Sequence, residues 1–489
     1  MSGAPIPTIR NLARAGDTER AWRLFISAGL NARVTDPDTL TLKGRLFKDR
    51  GLKASGEERG ALLREARLAY LDAAALAPAT YPLINAATIA FLDGDRNEAA
   101  GLAQRVLAML ASGAHEAETP YWLAATRAEA CLLLERYEEA RQAIAEAFRQ
   151  APKAWEDHAS TLRHFRLILN RAGEPSEWLD DHRPPQSIHY GGIIQLASDQ
   201  PAAPADIRRT LAGLRPGFAF GALAAGADVM AAEALLEMGS ELHIILPATL
   251  EAFRRDSVSP FGADWEARFD AVLASADAVD VLDGLEKVSL SGVQVSEELA
   301  MGLAIRQASV LETGAVALRI GAGERARSDL LDVAWKRQGL PVYQIELARA
   351  PIGSAPPLPS FGRHAVVAMA ARYDARQLSA VGGAIEQHGD LIVARFPEVA
   401  SAAKAAVLLA REGAEDIGLA YGAFDPGGGG GADVQLASQI ATAGIRGGIA
   451  ASRPAVLALS LHAPELRCEN FGTIASAIGD ISISIVSVP

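Results

Sequence analysis

Residues 217–247 constrain the fold more than any other part of the chain. They read GFAFGALAAGADVMAAEALLEMGSELHIILP: a short apolar run ending in small residues, an Ala-rich helical stretch, and a second run rich in β-forming residues. Strand, turn, helix and strand form a βαβ unit, which is typical of a parallel sheet covered by helices. Glycine allows a ligand close to the backbone, and N–H groups at a helix start can face an anion. The segment therefore predicts an α/β domain with a nucleotide-type pocket.

The flanking sequence predicts the rest of this sheet. Further strands are expected at 192–196, 242–246, 315–320 and 342–347, with a helix at 204–214. Ligands of open parallel sheets bind beyond the carboxyl ends of the strands. The turn is neither a GxGxxG fingerprint nor a P-loop, so close packing of small residues is an alternative interpretation. The predicted ligand-binding residues are Gly191, Gly192, Gly221, Ala225, Gly226, Ala227, Asp228 and Pro247, with residues 321–323 as a further candidate.

Residues 187–348 resemble the SLOG superfamily, the Rossmann-like group that includes DprA and the cytokinin-activating LOG enzymes. The matching motifs are GALAAGAD at 221–228, ELHIILP at 241–247, WEARF at 265–269, GLAI at 302–305 and GLPVYQI at 339–345. The resemblance implies a nucleotide or nucleotide-derived ligand, and no particular cofactor is predicted. LOG enzymes carry a PGGxGTxxE signature, whereas the corresponding residues 321–329 read GAGERARSD. The resemblance therefore implies binding without hydrolysis.

Four side chains near this turn have both a functional and a structural interpretation. Asp228 could hold a ribose hydroxyl, but an acid in the first turn of a helix is favoured by the helix dipole. Glu233 could face the pocket and Arg268 could meet a phosphate, although solvated surface charges are commoner. Trp265 could stack on a base, although core packing is the commoner role of a tryptophan.

Residues 1–183 carry helical periodicity in almost every window and predict an all-α helical repeat. Residues 121–152 resemble a tetratricopeptide repeat, with Tyr137 after the turn, Ala140 in the second helix and Pro152 at the end. YPLINAAT at 81–88 resembles the helical TRAF-binding region of apoptosis signal-regulating kinases. That likeness implies a helical-repeat scaffold more than a TRAF partner. Such a stack presents a concave surface for a protein partner, and the alternative is that it only supports the next domain.

A Pro-rich linker is predicted at 349–362, and residues 363–489 form a further region with β-α-β-α-β order. The elements are expected at 365–369, 375–387, 391–396, 399–412 and 417–423. HGDLIVARF at 388–396, IGLAYG at 417–422, VQLA at 434–437 and RCENFGT at 467–473 resemble the class III nucleotide cyclases. The resemblance implies an α+β, ferredoxin-like fold. Because members of that family dimerise, it also implies a homodimer.

The cyclase resemblance does not extend to the full set of catalytic residues. Cyclisation requires two carboxylates that hold two metal ions, together with polar groups that stabilise the transition state. Asp390 stands at the second metal position, whereas the first falls on Ala368 or Met369. The family's transition-state Asn and Arg align with Gln435 and Gln439, and a neutral Gln cannot replace a guanidinium. We therefore predict a pseudo-cyclase, with Asp390 as a candidate metal ligand or simply as part of a Gly-Asp turn.

Composition narrows the class of protein. The net charge of −12 argues against binding to nucleic acid or to an anionic membrane surface. No apolar run reaches the roughly 18–20 residues that span a bilayer, and the first residues lack a signal peptide's apolar region. The two cysteines, Cys131 and Cys468, form neither a disulfide framework nor a CxxC site. The sequence therefore predicts a cytoplasmic protein.

Three functional hypotheses follow. The first is a non-catalytic signalling protein that binds a nucleotide-like ligand in the SLOG-like domain and a protein partner on the helical repeats. The second is an active adenylate or guanylate cyclase that uses Asp390 in a dimer. The third is a structural adaptor with an empty Rossmann-like domain. The domain combination resembles bacterial signalling proteins, and this resemblance favours the first hypothesis.

Overall fold

The chain divides into two compact units, Met1–Pro184 and Pro185–Pro489. The computed structural model describes residues 6–14, 18–196, 200–282, 284–321, 329–350, 358–359, 362–374, 376–424, 431–443, 448–476 and 479–487. The candidate residues 322–323 and most of the predicted linker lie outside the described residues. The further division of the second unit into domains 187–348 and 363–489 stays a prediction.

The first unit is helical, as the periodicity predicted. Several helices begin at a side chain that caps them, such as Asp95, and end at a left-handed glycine, such as Gly94, because these residues satisfy the helix ends. The apolar stripes of consecutive helices form the core. The helices are α1 (Ile6–Arg14), α2 (Thr18–Ser27), α3 (Pro37–Lys53), α4 (Gly56–Leu76), α5 (Thr80–Asp93), α6 (Arg96–Ser112), α7 (Pro120–Leu133), α8 (Tyr137–Gln150) and α9 (Trp155–Ala172).

The second unit begins with a parallel sheet of six strands in the order β4-β3-β2-β1-β5-β6. Its elements are β1 (Ser187–Gly192), α10 (Ala203–Leu214), β2 (Phe218–Gly221), α11 (Ala227–Glu237), β3 (Glu241–Leu246), α12 (Leu250–Ser257), α13 (Ala263–Ser275), β4 (Ala278–Val281), α14 (Leu290–Leu311), β5 (Ala315–Ile320), α15 (Asp329–Arg337) and β6 (Val342–Ile345). From β1 the chain adds β2, β3 and β4 on one side of the sheet and then returns to add β5 and β6 on the other side. The direction in which strands are added therefore reverses between β1 and β5. This reversal is the usual ligand position in such sheets.

The first strand differs from its prediction. We expected it at 192–196, whereas β1 ends at Gly192 and pairs with β2 and β5 from Ser187 onward. The apolar residues Ile193 and Ile194 instead enter a loop, in which Ile194 forms an isolated bridge to Gly226. An apolar run favours burial, but it does not distinguish a strand from a partly buried loop.

A mixed sheet of seven strands completes the second unit, in the order β12-β13-β11-β10-β7-β9-β8. Its elements are β7 (Gly362–Ala370), α16 (Arg376–Ala380), β8 (Ala384–His388), β9 (Leu391–Phe396), α17 (Val399–Arg411), β10 (Ile417–Phe424), α18 (Ala432–Thr442), β11 (Ile449–Ser452), α19 (Arg453–His462), β12 (Arg467–Ser476) and β13 (Gly479–Ser487). Only β10 and β11 run parallel to each other; the other neighbours are antiparallel.

The helix predicted at 375–387 is wrong over most of its length. The helix α16 ends at Ala380, and residues 384–388 form strand β8, which pairs with β9. Gly382 adopts φ of 88°, a left-handed conformation that ends the helix. A Cβ on Gly383 would lie 2.7 Å from the Phe396 ring, so the chain needs glycine where it turns into the sheet.

Within the part of the chain that the structure describes, no helix is both long and apolar enough to cross a bilayer.

Candidate functional site

The predicted ligand-binding residues lie together at the carboxyl edge of the parallel sheet. Gly191 and Gly192 end β1, and Gly221 ends β2. Gly226 is the N-cap of α11, and Asp228 lies in its first turn. Pro247 follows β3, and Ala225 and Ala227 flank Gly226. Strand direction alone explains this grouping, because all strands of a parallel sheet end at the same edge.

The turn before α11 is closed by protein contacts. The N–H of Ala225 donates to the Ser257 carbonyl at 3.0 Å, and the N–H of Ala227 donates to the Ile193 carbonyl at 3.1 Å. Gly226 has φ of 119°, and a Cβ there would lie 2.8 Å from the Ile193 carbonyl oxygen. Two of the backbone donors that an anion would use are therefore already bonded, so the small residues of this turn serve close packing.

Asp228 also has a structural role. Its carboxylate accepts hydrogen bonds from the Gly192 N–H at 2.7 Å and from the Ala224 N–H at 3.2 Å, and the residue is only 5% exposed. Burial raises the pKa of this carboxyl to about 7 although the two N–H donors oppose the shift, and the charge of Glu297 adds to it. Asp228 thus ties the end of β1 to the turn and titrates near neutral pH.

Two of the glycines make room for neighbouring atoms. A Cβ on Gly192 would lie 2.4 Å from the Ala227 Cβ, and a Cβ on Gly221 would lie 2.5 Å from the Tyr190 carbonyl oxygen. Neither obstacle is a flexible side-chain end, so these positions require glycine for packing.

An open cavity of about 240 Å³ lies beside this turn. It is bounded by the loop after β1, the start of α10, the first turns of α11 and α13, and both polar and apolar side chains. Its lining residues are Gln195, Leu196, Gln200, Pro201, Ala203, Pro204, Met230, Trp265 and Arg268. We call this space the edge cavity.

Gln195, which lines the edge cavity, has a strained backbone conformation. Its φ is 56°, a left-handed conformation that glutamine rarely adopts. Hydrogen bonds fix it there, because its N–H donates to the Ala225 carbonyl at 3.1 Å and its carbonyl accepts from the Ala350 N–H at 3.1 Å. Strained residues held in this way cluster at ligand sites.

Trp265 and Arg268 form the other wall of the edge cavity. The guanidinium lies over the indole ring, 4.3 Å from its centre, and both side chains are partly exposed. Arg268 also donates two hydrogen bonds to Glu233, at 2.8 and 2.6 Å. An aromatic face, a guanidinium and a carboxylate at one cavity can stack on a planar ring, meet an anion and accept from a hydroxyl or amino group.

A buried charge cluster lies on the opposite face of β1. Arg319 of β5 donates to Glu297 at 2.6 Å and to Asp332 at 2.6 and 2.8 Å, and it contacts the His189 ring at 3.3 Å. Burial raises the pKa of Glu297 and lowers that of His189. Arg319 pairs with Gly191 in the ladder between β1 and β5, so this cluster lies close to the reversal point of the sheet. Sequence reasoning missed it, although a lone arginine in the apolar run AVALRI was a usable signal.

Asp390, the candidate metal ligand, is exposed in the turn between β8 and β9. Its carbonyl accepts from the Ala371 N–H at 2.8 Å, and the neighbouring β9 residues pair with Ala370, Met369 and Ala368 of β7. The β7 residues closest to Asp390 thus carry no carboxylate. Among the described residues, no group of three or more His, Cys, Asp or Glu side chains is placed to hold a metal ion.

The helical unit carries buried polar side chains on alternate helices. Lys48 of α3 donates to Asn85 of α5 at 2.8 Å, and Thr88 of α5 donates to Glu129 of α7 at 2.5 Å. Burial raises the pKa of Glu129 and lowers that of His164 on α9 to about 3. Since α5 also packs against α7 and α9, these helices form one polar layer of the stack.

Comparison with known families gives a match in the helical region. A family model described as the MAP3K TRAFs-binding domain matches residues 9–190, less than half of the chain. The match confirms the predicted TRAFs-binding-like character of the helical region, which rested on residues 81–88. No curated protein matches the chain.

Proposed function

We propose that this protein is a cytoplasmic, non-catalytic signalling protein. It binds a nucleotide-like ligand at the carboxyl edge of the parallel sheet and a protein partner on the helical unit. The observation that carries the ligand proposal is the edge cavity, which combines the Trp265–Arg268 wall with the strained Gln195 at the point where strand order reverses.

The size of the edge cavity restricts the ligand. Pockets for drug-sized molecules usually measure roughly 300–1,000 Å³. At about 240 Å³ the cavity suits a nucleobase with its sugar, and longer ligands would extend into solvent. Arg268, rather than the closed turn at Gly226, would meet a phosphate.

The mixed sheet supports the assignment of residues 363–489 as a degenerate cyclase-like domain. The order β7-α16-β8-β9-α17-β10, with β10-β7-β9-β8 as neighbours, is the split βαβ arrangement of ferredoxin-like folds. With Asp390 beside alanines and Met369, this domain would serve regulation or dimerisation.

Thermal-shift measurements with adenosine, AMP, GMP, ADP-ribose and Mg-ATP test the ligand proposal. Ligand at a hundredfold excess over Kd should stabilise the protein by about 2.7 kcal/mol. We expect a shift that Trp265→Ala abolishes. Trp178→Ala is the matched control, because Trp178 forms a similar pair with Arg141 in the helical unit, at 5.0 Å.

Other outcomes favour the alternatives. A shift with Mg-ATP that disappears only in Asp390→Ala, together with cyclic product, would favour the cyclase. A shift that persists in Trp265→Ala would remove the edge cavity from the site. No shift with any ligand would favour the adaptor.

The family match supports the partner proposal and suggests a purified TRAF protein as the probe. Tyr81 begins the matching motif and is 45% exposed, so it is a suitable anchor for a partner. We expect Tyr81→Ala to weaken binding at least about tenfold, the loss of a typical anchor. Ile26→Ala is the control, since Ile26 is similarly exposed on α2. If the two variants bound the TRAF protein with equal affinity, the proposal that the partner binds at Tyr81 would be contradicted.

A further inference from the structure

The helix α14 belongs to both sheets of the second unit. It packs on β1, β2, β3 and β5 of the parallel sheet, and also on α19, β7 and β10 of the mixed-sheet region. The approach to α19 is very close, because a Cβ on Gly302 would lie 2.1 Å from the Leu457 carbonyl oxygen. No side chain separates the two helix backbones at this crossing.

A buried carboxylate on α14 faces the mixed sheet. Glu298 has no exposed surface. It accepts hydrogen bonds from the Arg363 guanidinium of β7 at 2.5 Å and from the Tyr421 hydroxyl of β10, and the His462 ring nitrogen of α19 lies 3.4 Å away. All three partners come from the mixed-sheet region.

The preceding residue faces the other sheet. Successive residues of an α-helix point about 100° apart, so adjacent side chains can contact different layers. Glu297 pairs with Arg319 of β5 at 2.6 Å, and Arg319 also holds Asp332 of α15. The two neighbouring glutamates therefore attach one helix to both sheets through charged hydrogen bonds.

Further polar contacts cross the same boundary. Gln338, just after α15, donates to the carbonyls of Ser460 and Leu461 on α19, at 2.9 and 2.8 Å. Arg453 at the start of α19 forms two hydrogen bonds of 2.8 Å with Asp280 of β4. The boundary thus resembles the inside of a domain more than a loose contact between two domains.

We propose that α14 couples the two sheets into one cooperative unit, so that neither sheet opens without the other. A shift of α14 relative to either sheet would separate Glu297 or Glu298 from its partners. An unpaired buried carboxylate is strongly destabilising, so intermediates with only one sheet open are disfavoured. The coupling does not depend on the proposed ligand. Because of this coupling, a change that stabilises or destabilises one sheet would change the stability of the other sheet as well.

Native-state amide hydrogen exchange of the full chain tests the coupling, under conditions where exchange reports the opening equilibrium. Asp433→Asn disturbs the mixed sheet alone, since Asp433 bonds His364 of β7 and Arg395 of β9. We expect it to speed exchange at least about tenfold at protected amides of β10, the factor for 1.4 kcal/mol. If the two sheets are coupled, amide exchange in β1 of the parallel sheet should become faster by the same factor.

The double variant Asp433→Asn with Glu298→Ala completes the test. Once Glu298 is removed, exchange in β1 should no longer follow that in β10. Should Glu298→Ala fail to fold, Tyr421→Phe replaces it, because that change removes a single hydrogen bond to Glu298. Unchanged exchange of β1 amides in Asp433→Asn would overturn the proposal, since it would show that the sheets open independently.

Discussion

Each sheet of the second unit has a candidate functional aspartate at its edge, and the two aspartates differ in burial and in hydrogen bonding. Asp228 is buried at the carboxyl edge of the parallel sheet, where two backbone N–H groups bond its carboxylate. Asp390 is exposed in a turn of the mixed sheet, beside strand residues without carboxylates. The edge cavity and the left-handed Gln195 lie next to Asp228.

The difference bears on where the proposed ligand would bind. The left-handed Gln195 and the buried Asp228 both lie at the carboxyl edge of the parallel sheet, and such costly features are common at functional sites. In the mixed sheet, the β7 residues that pair beside Asp390 are alanines and Met369, which carry no carboxylate. In the proposed function, the ligand would therefore bind at the parallel sheet, and the mixed sheet would act as a scaffold.

The largest contrast is expected between the arginines of the two sheets. Arg319→Met leaves the buried Asp332 and the partly buried Glu297 without a counter-charge and should lower the free energy of unfolding by about 3 kcal/mol. Arg395→Met should cost about 1 kcal/mol, because its side chain is 30% exposed and His364 still bonds Asp433. Urea denaturation measures both values. Equal losses would contradict the difference between the sheets.

Two glycines offer the next contrast. Gly192→Ala places a methyl group 2.4 Å from the Ala227 Cβ and should lower the free energy of unfolding by about 2–3 kcal/mol. Gly389→Ala, in the turn beside Asp390, meets no atom within 4 Å and should cost about 1 kcal/mol through its φ of 58°. Thermal unfolding compares the two variants. If Gly192→Ala lost less stability than Gly389→Ala, the added methyl group at residue 192 would be accommodated by small shifts of its neighbours, and the close packing inferred there would be contradicted.

The pH dependence of stability should also differ between the sheets. Because burial raises the pKa of Asp228 to about 7, its stabilising contribution is present at low pH and is lost as the pH rises through 7. The difference in unfolding free energy between wild type and Asp228→Asn should fall by about 2 kcal/mol between pH 5 and pH 7.

Asp433 provides the control for this pH dependence. Burial alone would raise the pKa of Asp433, but hydrogen bonds from His364 and Arg395 outweigh burial and hold the pKa well below its usual range. Its contribution is present above the unfolded pKa and is lost only in acid. Measured in a His364→Gln background, so that no histidine changes charge beside Asp433, the corresponding difference for Asp433→Asn should stay flat from pH 5 to pH 7. A flat difference for Asp228→Asn as well would contradict the assigned burial.

The smallest effect is expected at Asp390. Asp390→Asn should change the free energy of unfolding by less than about 0.5 kcal/mol, since surface substitutions rarely exceed that value. It should leave any nucleotide-induced thermal shift unchanged. Loss of a metal-dependent shift in this variant would return the binding site to the mixed sheet.

Local sequence patterns predicted most of the strands. The runs at 242–246, 315–320 and 391–396 are strongly apolar, and each is a strand in the structure. The strand predicted at 192–196 is wrong because the partly buried Ile193 and Ile194 contact the turn before α11 and join no strand ladder. At 384–388, pairing with β9 overrides local helical preference, and the preceding Gly382 and Gly383 are the signal that was missed.

The candidate site was predictable only in part. Glycines at strand ends located the edge of the sheet, because parallel strands end together. The edge cavity depends on Gln195 and Trp265, which lie far apart in sequence and meet only in the folded chain. The two carboxylates Glu297 and Glu298 stand in an apolar helix, a pattern that indicates buried partners but does not name them.

Photoaffinity labelling with 8-azido-AMP, followed by peptide mapping, tests the ligand site most directly. The full chain would be labelled with and without excess AMP. We expect competed labelling on the peptide that contains Trp265 or Gln195, and none on the same peptides of Trp265→Ala. Competed labelling confined to the mixed sheet, or to the helical unit, would contradict a ligand site at the edge of the parallel sheet.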